Sequence, residues 1–544
     1  MSRWRGNPWA VLLVLALGFF MTLLDLTIVN IAIPDMVTKL SASLDQVLWI
    51  SNAYVLVLAV ALITAGRLGD LRGKKQLFIA GVALFTLASL LCGVSQGAAE
   101  LIAARAVQGL GAAFLLPQTM SIIVETFPAE RRGVALGIWG SVAGVSTVAG
   151  PTLGGLLVTK FDWRWIFFVN LPIGILVLLL AVPILPTHQR VERGRQRLDA
   201  VAVLIASAAL FCLAFALTEG QRYEWNAWIW ALIGLAAVLL VVFLVHQRAR
   251  QDSEPLVPFV LFRDRNFTAM NVVAITVSFG VIALFLPMTI YLQSALGFSA
   301  LKAGLVMAPT SVMAMLVAGP AGKLSDRFGG KYILLGGLVL FSAGTLWLLL
   351  VAEVGSSWTT FLPGFIVAGM GFGATFTPMA TEAMRNVPPQ LSGAASGVNN
   401  TLRQVGSVLA TAAVGEVLQS RLVSALGDQA KQRAAELPEQ VRAGFVQSFT
   451  EAGKSGLDVG AGQAGGAPDV GNLPPDLAHR VQELASEVFR YGFVDAMKPT
   501  MALPLAIVLA GAAVCLVVKG LPASRPLPSA DSRTAAKSAS AAEH

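Results

Sequence analysis

Blocks of about twenty apolar residues follow one another along nearly the whole chain, separated by short polar loops. A helix of that length crosses the ~30 Å hydrocarbon core of a bilayer. The blocks run roughly over 9–33, 46–65, 76–96, 99–124, 133–157, 165–186, 200–219, 226–246, 267–292, 301–321, 332–353, 360–383, 393–418 and 499–519. Their length and lack of alternation argue for helices, not barrel strands. Charged residues make up 13% of the chain, about half the share of a soluble domain. The expectation is an all-α polytopic membrane protein with fourteen transmembrane helices. The first block is too long for a secretory signal and is read as a span.

Lysine and arginine set the orientation. With the N-terminus inside, 24 of the 39 fall on the inner side: Arg3, Arg5, the 66–75 loop, Arg131, Arg132, the 190–197 run, 248–265, the 323–331 loop, Arg385 and the tail. The short outer loops hold five: Lys39, Lys160, Arg164, Arg222 and Lys302. The net charge of +8 is thus mostly an inner-face property whose counterpart is anionic lipid, and nothing calls for a nucleic acid. Cys92, Cys212 and Cys515 are too scattered for a disulfide framework or a metal site. There is no GxxxxGK[ST] loop to cradle ATP.

The chain repeats itself. GRLGDLRGKK at 66–75 has a partner 256 positions on, GKLSDRFGGK from Gly322. PAERRGVALG from Pro128 aligns with PPQLSGAASG from Pro388 at an offset of 260, so that Gly133 falls on Gly393 and Gly137 on Gly397. Six helices with loops take roughly 200 residues, so the offset leaves room for two more. The expected plan is a six-helix bundle (1–186), two inserted helices with basic flanks (187–265), and a second six-helix bundle (266–519) carrying a long extracytoplasmic loop (419–498). A disordered cytoplasmic tail (520–544) is expected to follow. Two similar halves around a midplane cavity are how secondary transporters are built. Within the long loop, 455–475 is rich in Gly, Pro and Asp and reads as disordered. Val481, Leu484, Val488 and Tyr491 have helical spacing suited to lying on a membrane surface.

GRLGDLRGKK resembles the loop signature of the major facilitator superfamily. LIAARAVQGLGAA (101–113) looks like its fourth-helix signature, and GSVAGVSTVAGPTLGG (140–155) resembles the antiporter signature of its fifth helix. LDLTIVNIAIP (24–34) and WRWIFFVNLPIG (163–174) resemble marks of the fourteen-helix drug:proton antiporter branch. The motifs stand in the family's order and span 9–519.

Asp25 and Arg105 are the expected proton-coupling pair. A carboxylate inside an apolar span is costly unless protonated or paired, and so is functional by default; the family implicates the fourth-helix arginine in proton transfer. Asn30, Gln108, Gln118, Asn399, Asn400, Arg403 and Glu416 are expected to line a substrate cavity. Phe114, Trp139, Phe285, Met307, Met313 and Phe376 supply adaptable apolar surface. Gly66, Gly69, Asp70, Arg72, Gly73, Arg131 and Asp326 form the expected gating loops. An anion at Asp70 suits a helix N-terminus in the other half, with Arg72 or Arg131 nearby; the resemblance implies that this motif stabilises an outward-open state. Gly140, Gly144, Gly150, Pro151, Gly154 and Gly155 form the antiporter helix, with small residues for close contact. Glu125 and Glu382, at the inner ends of matching helices, read as structural.

The resemblance implies a proton-driven exporter of amphipathic, cationic or neutral organic compounds, conferring drug resistance. It implies no catalysis, metal or cofactor beyond the proton gradient, and protons and a small molecule as partners. A monomer is expected in the bacterial cytoplasmic membrane, with both termini cytoplasmic. A dedicated exporter of an endogenous lipid, siderophore or antibiotic remains the alternative, and the sequence hardly separates the two.

Overall fold

Helix α1 (Pro8–Lys39) starts at an Asn7 side chain that accepts from the Trp9 amide, with Pro8 in the first turn, where a missing N–H costs nothing. The computed structural model describes residues 7–40, 44–186, 199–220, 222–223, 225–251, 255–454 and 474–518. Among them, regular structure is entirely helical. After α1 come α2 (Leu44–Arg72), α3 (Lys74–Val94), α4 (Ala98–Thr126), α5 (Ala129–Lys160), the short α6 (Trp165–Phe168) and α7 (Asn170–Ile184). Then follow α8 (Ala200–Glu219), α9 (Ala227–Ala249), the short α10 (Val260–Arg263), α11 (Arg265–Ile290), α12 (Ala300–Phe328), α13 (Gly330–Val351) and α14 (Trp358–Met384). The chain closes with α15 (Ser392–Ala434), α16 (Glu439–Lys454) and α17 (Pro475–Val517). Side-chain caps fix several starts: Asp199 accepts from Ala202, Asn226 from Ile229, Asp264 from Phe267 and Ser299 from Lys302, each satisfying an orphan N–H.

Twelve of these helices contain a stretch long and apolar enough to cross a membrane. Helix α15 is diluted by Asn, Arg, Gln and Ser, whereas residues 133–150 of α5 are an uncharged apolar stretch rich in glycine. Both run along the boundary between the halves, α5 against α12 and α15 against α2, so protein rather than lipid covers their polar positions. The inserted pair α8 and α9 pack on each other, and α8 packs on α2 and α15. They leave Leu204, Val241 and Val245 exposed, as lipid-facing surfaces require.

The repeat is visible atom by atom. Gly73 and Gly329, 256 positions apart, hold the α2–α3 and α12–α13 turns at φ +108° and +86°, a region glycine enters without penalty. A Cβ on Gly111 would lie 2.6 Å from the Phe85 amide nitrogen, and one on Gly371 2.2 Å from that of Phe341. The α3–α4 and α13–α14 contacts are therefore the same glycine-mediated backbone approach. The two markers also meet crosswise: Gly66 abuts the Gly393 carbonyl and Gly322 that of Gly133, each at 2.3 Å from an added Cβ.

The 419–498 segment departs from the expected loop. Helix α15 continues unbroken to Ala434, and α17 begins at Pro475. Each has 43 residues, about 65 Å at 1.5 Å per residue, twice a bilayer core. Leu418, Leu422, Leu426, Ala430 and Ala434 prolong the buried stripe of α15, which packs with Phe445 and Phe449 of α16 and with Val481, Leu484 and Val488 of α17. Those last residues thus bury their apolar face in a helical outcrop instead of lying on a bilayer; only Tyr491 is exposed. Residues 455–473 and the tail from 519 lie outside the described residues.

Candidate functional site

Asp25 sits past the middle of α1 with no solvent exposure, and Arg105 on α4 is 1% exposed. Their side chains form a direct ion pair. The rest of the pocket completes the carboxylate's shell. Gln108 Nε2 donates to Asp25 Oδ1 at 2.9 Å and Asn170 Nδ2 donates to the same oxygen at 3.2 Å. Both amides also donate to Ser89 Oγ, at 3.0 Å each. Arg105 Nη1 donates to Gln108 Oε1 at 2.6 Å, and its Nε to the Ile50 carbonyl at 3.1 Å. Its guanidinium lies 4.3 Å from the Tyr54 ring centroid, a cation–π contact. Five elements, α1, α2, α3, α4 and α7, thus converge on one carboxylate. Asp25 thus accepts from three N–H donors, on Arg105, Gln108 and Asn170. Arg105 follows from the sequence, Gln108 was expected in a cavity and Asn170 lies within WRWIFFVNLPIG; Ser89 and Tyr54 carry no signal before the helices are packed.

The second cluster joins the two halves where a latch is expected. Asp70 accepts from the Gly393 and Ala394 amides of α15, at 2.9 and 2.7 Å, where both the free N–H groups and the helix dipole favour an anion. Lys74 lies 3.2 Å from Asp70, pairs directly with Glu125, and donates to Ser392 Oγ at 2.6 Å. Ser121 and Ser392 hydroxyls are 2.7 Å apart. The cation is Lys74; Arg72 and Arg131 are exposed. Glu125, read from sequence as structural, pairs with Lys74 in this cluster. Gly66 and Gly69 are the close-approach positions: an added Cβ would strike the Gly393 carbonyl and the Gln118 side chain. Gln118 accordingly braces this contact, donating to the Ala65 carbonyl at 2.9 Å. In the second half Glu382 accepts from the Gly330 amide at 2.9 Å, from Asn266 at 3.1 Å and from Arg385 at 3.3 Å. The side chain of Asp326 lies outside the described residues.

Between these clusters an aromatic stack crosses the boundary. Phe19 and Trp139 stack at 4.2 Å, Trp139 and Phe376 at 5.9 Å, and the Arg403 guanidinium stands 4.4 Å from the Phe376 centroid. Gly140 makes room for Phe376 and Gly150 for Thr27. Gly154 is buried, nothing approaches Gly155, and Gly144 and Pro151 are helical positions of α5. Asn399 donates to Asn271 at 3.1 Å and Asn400 to the Ser396 carbonyl at 2.9 Å, so each spends its amide on its neighbours. Glu416 lies outside this core and accepts from Trp225 Nε1 at 2.7 Å. The Asn30 side chain lies outside the described residues. No group of three or more metal-ligating side chains occurs among the described residues.

Residues 15–219 and 198–411 each match the model of the Major Facilitator Superfamily. An uncharacterised MFS-type transporter of Mycobacterium tuberculosis is 37% identical over 538 residues, covering 97% of this chain and 85% of that one. The tetracenomycin C resistance and export protein of Streptomyces glaucescens is 35% identical over 518 residues, covering 95% and 93%. The crystal structure of the human organic anion transporter MFSD10 superposes with a TM-score of 0.54 at 13% identity, covering 92% of this chain and 99% of that one, which speaks for the fold alone. Duplicated bundles, a crosswise glycine boundary and a family model matched in both halves agree: the chain is a multi-pass membrane transporter of the major facilitator superfamily.

Proposed function

We propose that the protein is a proton-coupled exporter of amphipathic, cationic or neutral organic compounds, working by alternating access and conferring resistance to them. It stands in the drug:proton antiporter branch, and a relative of matching length is named for resistance and export. The observation that carries the coupling is the Asp25 carboxylate, buried without exposure and held by Arg105, Gln108 and Asn170.

Each element has a physical role. The lysine and arginine bias puts the latch on the cytoplasmic side. With Asp70 capping α15, the inner side is shut and the protein stands outward-facing. A proton reaching Asp25 turns an acceptor oxygen into a donor. That removes the charge Arg105 answers and disrupts the bonds tying α1 to α4 and α7. The N-terminal half then repacks and the latch opens inward, where the proton leaves and substrate enters. Phe19, Trp139, Phe376 and Arg403 lie where both halves contribute aromatic surface, and they form the substrate platform. One chain supplies both halves, so a monomer suffices. An exporter dedicated to one endogenous metabolite is the second reading, favoured by the relative named for a single antibiotic; neighbouring genes for that metabolite's synthesis would distinguish it.

The test is efflux of a fluorescent lipophilic cation from cells expressing the chain. Expression should lower its accumulation, and a protonophore should restore it. Accumulation unaffected by expression, or efflux that survives the protonophore, contradicts the proposal.

A further inference from the structure

Beside the latch, a cavity of about 660 Å³ opens among three arginines: Arg67 on α2, Arg248 at the end of α9 and Arg263 on α10. Its walls are built, not incidental. Gln247, fully buried, accepts from the Val257 amide at 3.0 Å. Gln251 accepts from the Phe259 amide at 2.8 Å and donates to the Val257 carbonyl at 3.3 Å. These two amides strap the 255–259 segment to α9, so Phe259 forms an apolar wall that the neighbouring Leu391 extends. Arg248 and Arg263 are exposed and have no carboxylate partner among the described residues. Asp252 and Glu254, nearest in sequence, are outside those residues.

We infer that this cavity binds the phosphodiester headgroup of an anionic phospholipid. Guanidinium forks match phosphate oxygens bidentately, and basic pockets between membrane helices on the cytoplasmic side suit anionic headgroups. The lipid source follows from the surroundings. Val260 is both a lining residue and 53% exposed, and Val245 and Phe262 add exposed apolar surface to the same two helices. An acyl chain has a track there that a free phosphate does not need. A zwitterionic choline headgroup would add a cation to three already present. Arg67 belongs to the first half, and Leu391 immediately precedes the α15 turn that Asp70 caps. A headgroup touching both therefore binds the latch-closed form more tightly than the open one. The binding itself does not depend on what the protein transports.

The test uses the purified full-length protein with phosphatidylglycerol, phosphatidylcholine or inorganic phosphate, read by native mass spectrometry and thermal midpoint. Wild type should retain phosphatidylglycerol about tenfold over phosphatidylcholine, and only phosphatidylglycerol should raise its midpoint. Arg248→Gln/Arg263→Gln should bring the two lipids near parity with an unchanged lipid-free midpoint. Arg248→Lys/Arg263→Lys, which keeps the charge and loses the fork, should fall between. Equal retention by wild type would overturn the assignment. So would a preference that survives the glutamine variant, a lysine variant as impaired as the glutamine one, or inorganic phosphate stabilising as well as the lipid.

Discussion

Asp70 and Gly393 meet across the boundary between the halves, carboxylate oxygen to amide nitrogen at 2.9 Å. The same turn brings Gly66 against the Gly393 carbonyl, so one glycine receives both the charge and the backbone of the opposite bundle. A partly buried anion at a helix N-terminus contributes about 1–2 kcal/mol, enough to bias two states and small enough to release.

Asp70→Asn keeps the shape and removes the charge. The closed-to-open ratio of the latch should fall about 5- to 30-fold. Spin labels at the exposed positions Arg72 and Gln390 should show a longer-distance population. An unchanged distance distribution would remove Asp70 from the gate.

Lys74 answers two carboxylates, Asp70 and Glu125. Lys74→Met takes this counter-charge from Asp70, whose side chain is 2% exposed, and breaking a buried pair costs about 3–5 kcal/mol. Lys74→Met/Glu125→Gln also removes one of the two anions that faced the lost cation. The double variant should therefore melt above the single one in detergent, the reverse of additive damage.

Gly111 and Gly371 test the repeat. Alanine at either places a Cβ within 2.6 Å of a backbone nitrogen, and overpacking of that kind costs about 1–3 kcal/mol. Gly111→Ala and Gly371→Ala should lower the thermal midpoint by similar amounts, whereas Gly155→Ala, with nothing within 4 Å, should leave it in place.

Much of this was legible in the sequence. The apolar blocks gave the helices, and two markers at offsets 256 and 260 gave the duplication because each repeats a backbone requirement, a positive-φ turn or a glycine contact. The α15 extension was missed since a hydropathy boundary at 418 falls where the lipid-facing side turns polar, while the inner stripe continues every fourth residue to Ala434. Lys74 lost to Arg72 and Arg131 because four cations, Arg67, Arg72, Lys74 and Lys75, crowd residues 66–75 and only helix phase decides which turns inward. Ser89, Tyr54 and Asn170 lie on separate helices, and no local pattern assembles them around Asp25.

Asp199 ties the inserted pair together, capping α8 through Ala202 and meeting His246 of α9 at 2.8 Å. Burial pushes its carboxyl up, but the Ala202 amide and the His246 partner outweigh that and hold it below the usual value. A depressed carboxylate stabilises the fold above its unfolded value of about 4 and loses that contribution as pH falls through the folded value. Asp199→Ala should lower stability by about 1 kcal/mol near neutrality. The gap from wild type in thermal unfolding should narrow below about pH 4.

The ion pair of Asp25 with Arg105 is the proposed engine, and transport in proteoliposomes under an imposed pH gradient measures it most directly. Wild type should move a lipophilic cation at a rate that follows the gradient. Asp25→Asn should lose the gradient response while still binding the cation at wild-type affinity. An Asp25→Asn protein that transports at the wild-type rate and still answers to pH would contradict the account.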